Sequence, residues 1–212
     1  MCGVTRLEDA LLAAAAGAWA VGTIFHPRSP RACDPAVAEE IGNALKRKAE
    51  VVGVFVNAPL DEVAALADRC SFTILQLHGD EGPAYCREAA RRTGCKIMKA
   101  HQAKDAAAVR RLESFREVDL HLMDAHAQDL RGGTGRTFDW ELARHHRSAI
   151  PVVLSGGINP ENVRDAIAAV HPFAVDSASG TEAAPGIKDP SRVEALIEAV
   201  RQADAEAAAS AA

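Results

Sequence analysis

Eight successive units of an apolar run, a glycine-rich or polar loop and a helical stretch predict an α/β chain: a single-domain (β/α)8 TIM barrel. Two further observations point the same way. Several runs are almost wholly apolar, such as Val51-Val-Gly-Val-Phe-Val56, as expected for parallel strands covered on both faces. The 212 residues suffice for one full core and lie at the short end for eight such units.

The first strand is predicted over residues 1–4 and is shortened, because only Met1 precedes Cys2. A strand pairs well with about five residues, so closure of the barrel beside Cys2 is expected to be weak. Thr5-Arg-Leu-Glu8 reads as a capping box opening a helix to about residue 16. Residues 19–25 form the second strand, and Asp34-Pro35 caps and opens a helix to about residue 48. The third strand (51–56) precedes a helix over 60–69, and the fourth (72–77) a helix over 83–92. The fifth strand (96–100) leads to a helix over 105–114. The sixth (119–123) leads to a long glycine-rich loop and a short helix from about Trp140. The seventh strand (152–154) carries a helix over 161–170. The eighth (173–176) carries the last helix, 191–203. The barrel thus covers residues 1–203, and the Ala-rich tail 204–212 is expected to be a frayed helix end or disordered.

Lys and Arg total 24 against 29 Asp and Glu, a net charge of −5 without a basic stripe, which excludes a nucleic-acid surface. An apolar share of 48% argues against disorder. The apolar stretch 10–25 follows Glu8 and Asp9 rather than a basic region and is too short to span a membrane, so it reads as helix plus strand. Five cysteines, without Cys-x-x-Cys, suggest neither a disulfide framework nor a metal site. They point to the reducing cytoplasm.

In such a barrel chemistry gathers just after the strands. The strongest local signal is Pro151-Val-Val-Leu-Ser-Gly-Gly-Ile-Asn-Pro-Glu-Asn162. An apolar run ends in Gly156-Gly157, where the lack of Cβ lets a ligand approach the backbone. Asn159 then caps a helix whose N-terminal N–H groups suit an anion. The loop Asp176-Ser-Ala-Ser-Gly180 is its counterpart after the eighth strand. Gly156, Gly157, Ser179 and Gly180 together form a candidate phosphate site. Asp124 ends an apolar strand: it either caps the next loop or, with a pKa raised by burial, serves as a general acid. Cys2 is either a small buried hydrophobe or a thiolate base beside positive charge. In His26-Pro-Arg-Ser-Pro-Arg31 two arginines stand on a proline-stiffened loop, solvated or forming a carboxylate fork. His78 is a rim hydrogen-bonder or a positioning residue. Gly132-Gly-Thr-Gly-Arg-Thr137 fails as a P-loop, since Arg136 replaces the lysine and no glycine stands five residues before Gly135, and reads as a mobile flap.

The ordered set of motifs resembles the phosphoribosylanthranilate isomerase family of tryptophan biosynthesis. It comprises Cys-Gly-Val-Thr at 2–5, Gly-Thr-Ile-Phe-His-Pro-Arg-Ser-Pro-Arg at 22–31 and Gln-Leu-His-Gly at 76–79. It continues with Gly-Gly-Thr-Gly-Arg-Thr-Phe-Asp-Trp at 132–140, Ser-Gly-Gly-Ile-Asn-Pro-Glu-Asn at 155–162, Asp-Ser-Ala-Ser-Gly-Thr-Glu at 176–182 and Pro-Gly-Ile-Lys-Asp-Pro at 185–190. The resemblance implies an Amadori rearrangement of N-(5-phosphoribosyl)anthranilate, with no metal or organic cofactor. It implies Cys2 as general base, Asp124 as general acid and Arg31 on the anthranilate carboxylate. Asp176 would lie near the substrate, and Gly156, Gly157, Ser179 and Gly180 on its phosphate; His78 is a further candidate for substrate binding. The expected partner is a phosphorylated small molecule, bound by a monomer or homodimer. Thr23 stands where an aromatic is more usual, and a packing change is expected there. Two other readings remain open at this stage: a histidine-pathway or dual-substrate phosphoribosyl isomerase, and a non-catalytic barrel that binds a phosphorylated metabolite.

Overall fold

A computed structural model describes residues 1–124 and 140–210. Among these, seven strands make one parallel sheet in chain order: β1 (Ala20–Ile24), β2 (Glu50–Phe55), β3 (Ile74–Leu77), β4 (Lys96–Gln102), β5 (Leu120–Asp124), β6 (Val152–Ser155) and β7 (Ala174–Val175). They are the second to eighth strands predicted from the sequence. The helices are α1 (Leu7–Ala16), α2 (Pro35–Leu45), α3 (Leu60–Arg69), α4 (Pro83–Thr93), α5 (Ala106–Glu113), α6 (Glu141–Arg144), α7 (Val163–Val170) and α8 (Pro190–Ser210). A small antiparallel hairpin, β8 (Glu182–Ala184) with β9 (Ile187–Lys188), follows β7 and has no counterpart in the sequence reading. The flap expected over 132–137 lies outside the described residues. α8 runs past residue 203 to Ser210, longer than its predicted span.

The ring is closed by the short N-terminal segment, which bonds to both outer strands of the sheet. On one side the Met1 amine donates to the Ala20 carbonyl at 2.9 Å, the Gly22 N–H donates to the Met1 carbonyl, and the Val4 N–H donates to the Gly22 carbonyl. On the other side the Cys2 N–H donates to the Ser177 carbonyl at 2.9 Å, just beyond β7. The fold is therefore of the (β/α)8 TIM-barrel type, as the sequence predicts, but the first strand expected over residues 1–4 is not formed: those residues are an irregular segment hydrogen-bonded to both outer strands. Closure does not require a long strand, because these bonds are spread over two neighbours.

Local chemistry accounts for most element ends. The Asp34 carboxylate accepts the Ala36 N–H at 2.7 Å with Pro35 at the first helical position, and Asp105 does the same for Ala108. α1 stops at Gly17 in the left-handed conformation, which separates it from β1 and bears out the split of the apolar stretch. The capping box at Thr5 is not formed. The Thr5 hydroxyl donates instead to the Gly186 carbonyl at 2.6 Å, and α1 begins at Leu7 without a side-chain cap. A long-range partner in the β8–β9 turn outcompetes the local one.

Successive strand residues face opposite sides, and both sides are apolar. Val52, Val54, Ile74, Met98, Ala100, Leu122 and Val153 fill the barrel interior together with Cys2. Leu75, Leu77, Phe55 and Ile97 pack under the helices, with Phe25, Phe55 and Phe72 in mutual ring contact. Thr23 is fully buried, and its hydroxyl donates to the Val52 carbonyl at 3.4 Å.

Candidate active site

The C-terminal ends of β5, β6 and β7 are in register, which fixes the order of the polar groups along the rim. Asp124 pairs with Ser155 across β5 and β6. The Ser155 hydroxyl donates to Asp176 Oδ2 at 3.1 Å, and the Asp176 N–H donates to the Leu154 carbonyl. Asp176 Oδ1 lies 3.9 Å from the Met1 amine, and the next residue, Ser177, accepts the Cys2 N–H. Backbone pairing thereby sets Asp124 beside Ser155 and Cys2 beside Ser177, with Asp176 between them on the same rim. Sequence reading missed Ser155; the position just before the glycine pair was its only signal.

On the other side of Asp124 stands His78, whose Nε2 is 3.5 Å from Asp124 Oδ2. The Gln76 amide lies 3.2 Å from His78 Nδ1. The imidazole thus stands between the Gln76 amide and the Asp124 carboxylate. Below this loop, Lys99 Nζ donates to the Gly79 carbonyl at 2.7 Å and to Glu81 Oε2 at 2.9 Å. Glu81 in turn accepts the N–H groups of Asn57 and Gly79. Lys99 and Glu81 are both buried. A buried ion pair with its remaining hydrogen bonds satisfied fixes the backbone that carries His78. A lysine inside the apolar run Ile97-Met-Lys-Ala100 was the available signal for it.

The two glycine-bearing loops are zipped together. The Ser177 hydroxyl donates to the Ile158 carbonyl at 2.6 Å. Gly180, in the short 3-10 turn Ser179–Thr181, approaches the same carbonyl so closely that a Cβ there would sit 2.0 Å from its oxygen. This contact sets the Ser179–Thr181 turn against Ile158 and Asn159, which directly follow Gly156 and Gly157, whose φ are 93° and 72°. A Cβ at Gly157 would meet nothing within 4 Å, so that side of the loop is open to a ligand. Asn159 does not cap the helix as expected: its Oδ1 accepts the N–H groups of Glu161 and Asn162 in a preceding turn, and the N-cap position falls on Asn162, without a side-chain cap. The helical repeat itself starts later, at Val163, after one turn.

Arg31 lies near Cys2 but its fork is partly taken. Its Nε and Nη2 donate to Glu182 Oε1 and Oε2, each at 2.7 Å. Burial would raise the Glu182 carboxyl, but the Arg31 hydrogen bonds and the Lys188 charge outweigh it and hold the group below its ordinary value. Lys188, fully buried, has Nζ 3.6 Å from Glu182 and donates to the Ala178 carbonyl at 2.9 Å. Burial lowers the Lys188 pKa. Neither Glu182 nor Lys188 was singled out by sequence.

The Cys2 thiol is pushed up to about 12, chiefly by burial and then by the Asp176 charge, against the opposing pull of the Met1 amine and Lys188. This corrects the expectation of a thiol titrating low beside positive charge. The cations are present, but burial outweighs them. The other cysteines are also free and buried, as small hydrophobes would be.

Ionisable groups gathered at the C-terminal rim of an eight-unit barrel define a (β/α)8 enzyme. A model of the family described as N-(5'-phosphoribosyl)anthranilate (PRA) isomerase matches residues 1–199. The N-(5'-phosphoribosyl)anthranilate isomerase of Geotalea uraniireducens is 45% identical over 197 residues, 93% of this chain and 95% of the relative. That of Rubrobacter xylanophilus is 45% identical over 201 residues, 95% and 97% of the two chains. The crystal structure of phosphoribosyl anthranilate isomerase from Thermotoga maritima superposes with a TM-score of 0.86 at 39% identity, covering 95% of this chain and 97% of that one. A second, in complex with reduced 1-(o-carboxyphenylamino)-1-deoxyribulose 5-phosphate, does so with a TM-score of 0.82 at 38% identity, covering 95% and 96%. The chain belongs to the phosphoribosylanthranilate isomerase family.

Proposed function

We propose that this chain catalyses the Amadori rearrangement of N-(5-phosphoribosyl)anthranilate to 1-(2-carboxyphenylamino)-1-deoxyribulose 5-phosphate, with Asp124 as general acid and Cys2 as general base. Family membership supports the reaction. The observation that supports the residue roles is their placement on one rim: Cys2 is bonded through its backbone to Ser177, Asp124 is in register with Ser155, and the Ser155 hydroxyl bonds Asp176 between them.

Asp124 delivers a proton to the ring oxygen of the furanose. The C–O bond breaks, and the anilino nitrogen forms a cationic imine with the freed carbon. That charge acidifies the neighbouring C–H. Cys2 takes this proton, leaving an enol amine that tautomerises to the ketone. A buried thiol is a poor base at rest, because its proton is held. The imine cation formed beside it favours the thiolate at the step that needs one. Gly156, Gly157, Ser179 and Gly180 grip the phosphate, and Arg31 the ring carboxylate. Holding both ends spends binding energy on orientation at the reacting carbons. His78 holds Asp124, and Asp176 stands on the Cys2 side of the sugar. No helix among the described residues is long and apolar enough to cross a membrane. Free buried thiols suit a reducing cytoplasm, and the enzyme works as a monomer or homodimer.

The test follows the loss of phosphoribosylanthranilate fluorescence. Cys2→Ala and Asp124→Asn should each cut turnover by at least about a hundredfold while the reduced product analogue still binds. Near-normal turnover in both would reject the assignment, and product-analogue binding without turnover in the unaltered chain would select a non-catalytic barrel.

A further inference from the structure

We propose that Glu182 is a positioning residue that sets the plane of Arg31, so that only one edge of the guanidinium faces the substrate's ring carboxylate. The inference rests on the assignment of Arg31 to that carboxylate made above. A guanidinium has five N–H donors in one plane. Glu182 takes one from Nε and one from Nη2, at 2.7 Å each. The pair left side by side, on Nη1 and the outer Nη2, is the end-on fork that matches a second carboxylate bidentately.

Glu182 is itself immobilised. Its side chain is 5% exposed, Oε1 accepts the Gly186 N–H at 3.3 Å, and Lys188 Nζ stands 3.6 Å away. Lys188 is anchored in turn by the Ala178 carbonyl at 2.9 Å and the Thr181 hydroxyl at 3.3 Å. The β8–β9 turn is tied to the N-terminal segment by the Thr5 hydroxyl on the Gly186 carbonyl. From the other side the Arg31 stem lies across Gly3, where a Cβ would come within 2.6 Å of Arg31 Cδ. The hairpin after β7 thus orients an arginine from the loop after β1, beside the residue that follows Cys2. Arg31 has two carboxylates to serve, one from the protein and one from the ligand. Losing the first frees the fork to rotate.

Calorimetric binding of two probes separates the possibilities: the reduced product analogue, and its phenylamino counterpart lacking the ring carboxylate. The unaltered enzyme should prefer the carboxylated probe by about tenfold or more, the worth of a charged hydrogen-bond pair. In Glu182→Gln this preference should shrink to about threefold or less, with affinity for the phenylamino probe unchanged. Arg31→Ala should lose the preference altogether. If Arg31→Ala loses it and Glu182→Gln keeps it, the positioning role is wrong while the Arg31 assignment stands. If Arg31→Ala keeps it, the assignment itself fails, and this inference with it. Equal weakening of both probes in Glu182→Gln would mark a merely structural residue and overturn the proposal. Should Glu182→Gln not fold, Glu182→Asp keeps the charge but withdraws it by one methylene, and an undiminished preference there would contradict the inference in the same way.

Discussion

At the C-terminal rim, side chains and backbone are tied by a dense set of hydrogen bonds and buried charges. At the N-terminal ends of β1 and β7 the barrel instead holds an apolar cavity of about 310 Å3, lined by Ala18, Trp19, Ala20, Phe173, Leu196 and Val200 among others. Trp19 and Phe173 cross edge to face at 5.5 Å over this end, and both are exposed. The cavity reaches Cys2, Asp176 and Ser177 from below. The space is mostly apolar and meets the polar rim only at its far end, at Gln76, Cys2, Asp176 and Ser177. The space lies where apolar surface lines the barrel; the groups that can move protons lie where strands end and backbone donors become available.

This contrast can be broken by substitution, beginning with the largest effect. Glu81→Gln leaves Lys99 buried without its counter-charge, and should cost about 3–5 kcal/mol of stability in denaturant unfolding. Because the pair fixes the loop carrying His78, turnover per folded molecule should fall as well. Next, Gly180→Ala forces the loops after β6 and β7 apart and should cost about 1–3 kcal/mol. It should also weaken binding of inorganic phosphate, measured calorimetrically. At the opposite end, Ala20→Val partly fills the cavity. Unfolding should shift by about 1 kcal/mol or less, with kcat/KM unchanged. A large loss of activity there would dissolve the distinction between the two ends.

The ends should also differ in pH response. At the rim, the proposed role of Cys2 as base needs its thiolate, and burial raises its pKa, so under that proposal kcat/KM should rise with pH on the alkaline side. Asp176→Asn removes a charge that raises this pKa. Thiolate absorbance should then appear at lower pH than in the unaltered protein. Toward the other end, His121 on β5 is buried, with Nδ1 2.8 Å from His146 Nε2 and Nε2 2.9 Å from the Phe115 carbonyl. Burial lowers both histidine pKa values. The folded state therefore disfavours the proton that the unfolded chain accepts near its ordinary value of 6.5. Stability from this pair should be present above that pH and lost as pH falls through it, read as a drop in Tm. A Tm unchanged between neutral and mildly acid solution would contradict it.

The sequence carried most of the fold because its signals are local. Asp34-Pro35, Asp105 and Gly17 each act within a few residues, and the apolar runs announce their strands. Thr5 failed as a cap because its partner, Gly186, is distant in sequence, and no local rule ranks such competition. The same reason hid the groups that organise the rim. Glu182 on Arg31, Ser155 on Asp176 and Glu81 on Lys99 are meetings made by the fold. The positions of Cys2, Asp124 and the glycine loops were legible because strand ends in a barrel share one rim. The direction of the Cys2 pKa was not, since the burial that decides it depends on the packed interior.

The division of labour between Asp124 and Cys2 is tested most directly by a single-turnover isotope effect, using substrate deuterated at the ribose carbon that loses its hydrogen. Cys2→Ser should make C–H cleavage limiting and enlarge the effect, whereas Asp124→Asn should make ring opening limiting and suppress it. The same isotope effect in both variants would contradict the assignment of acid and base.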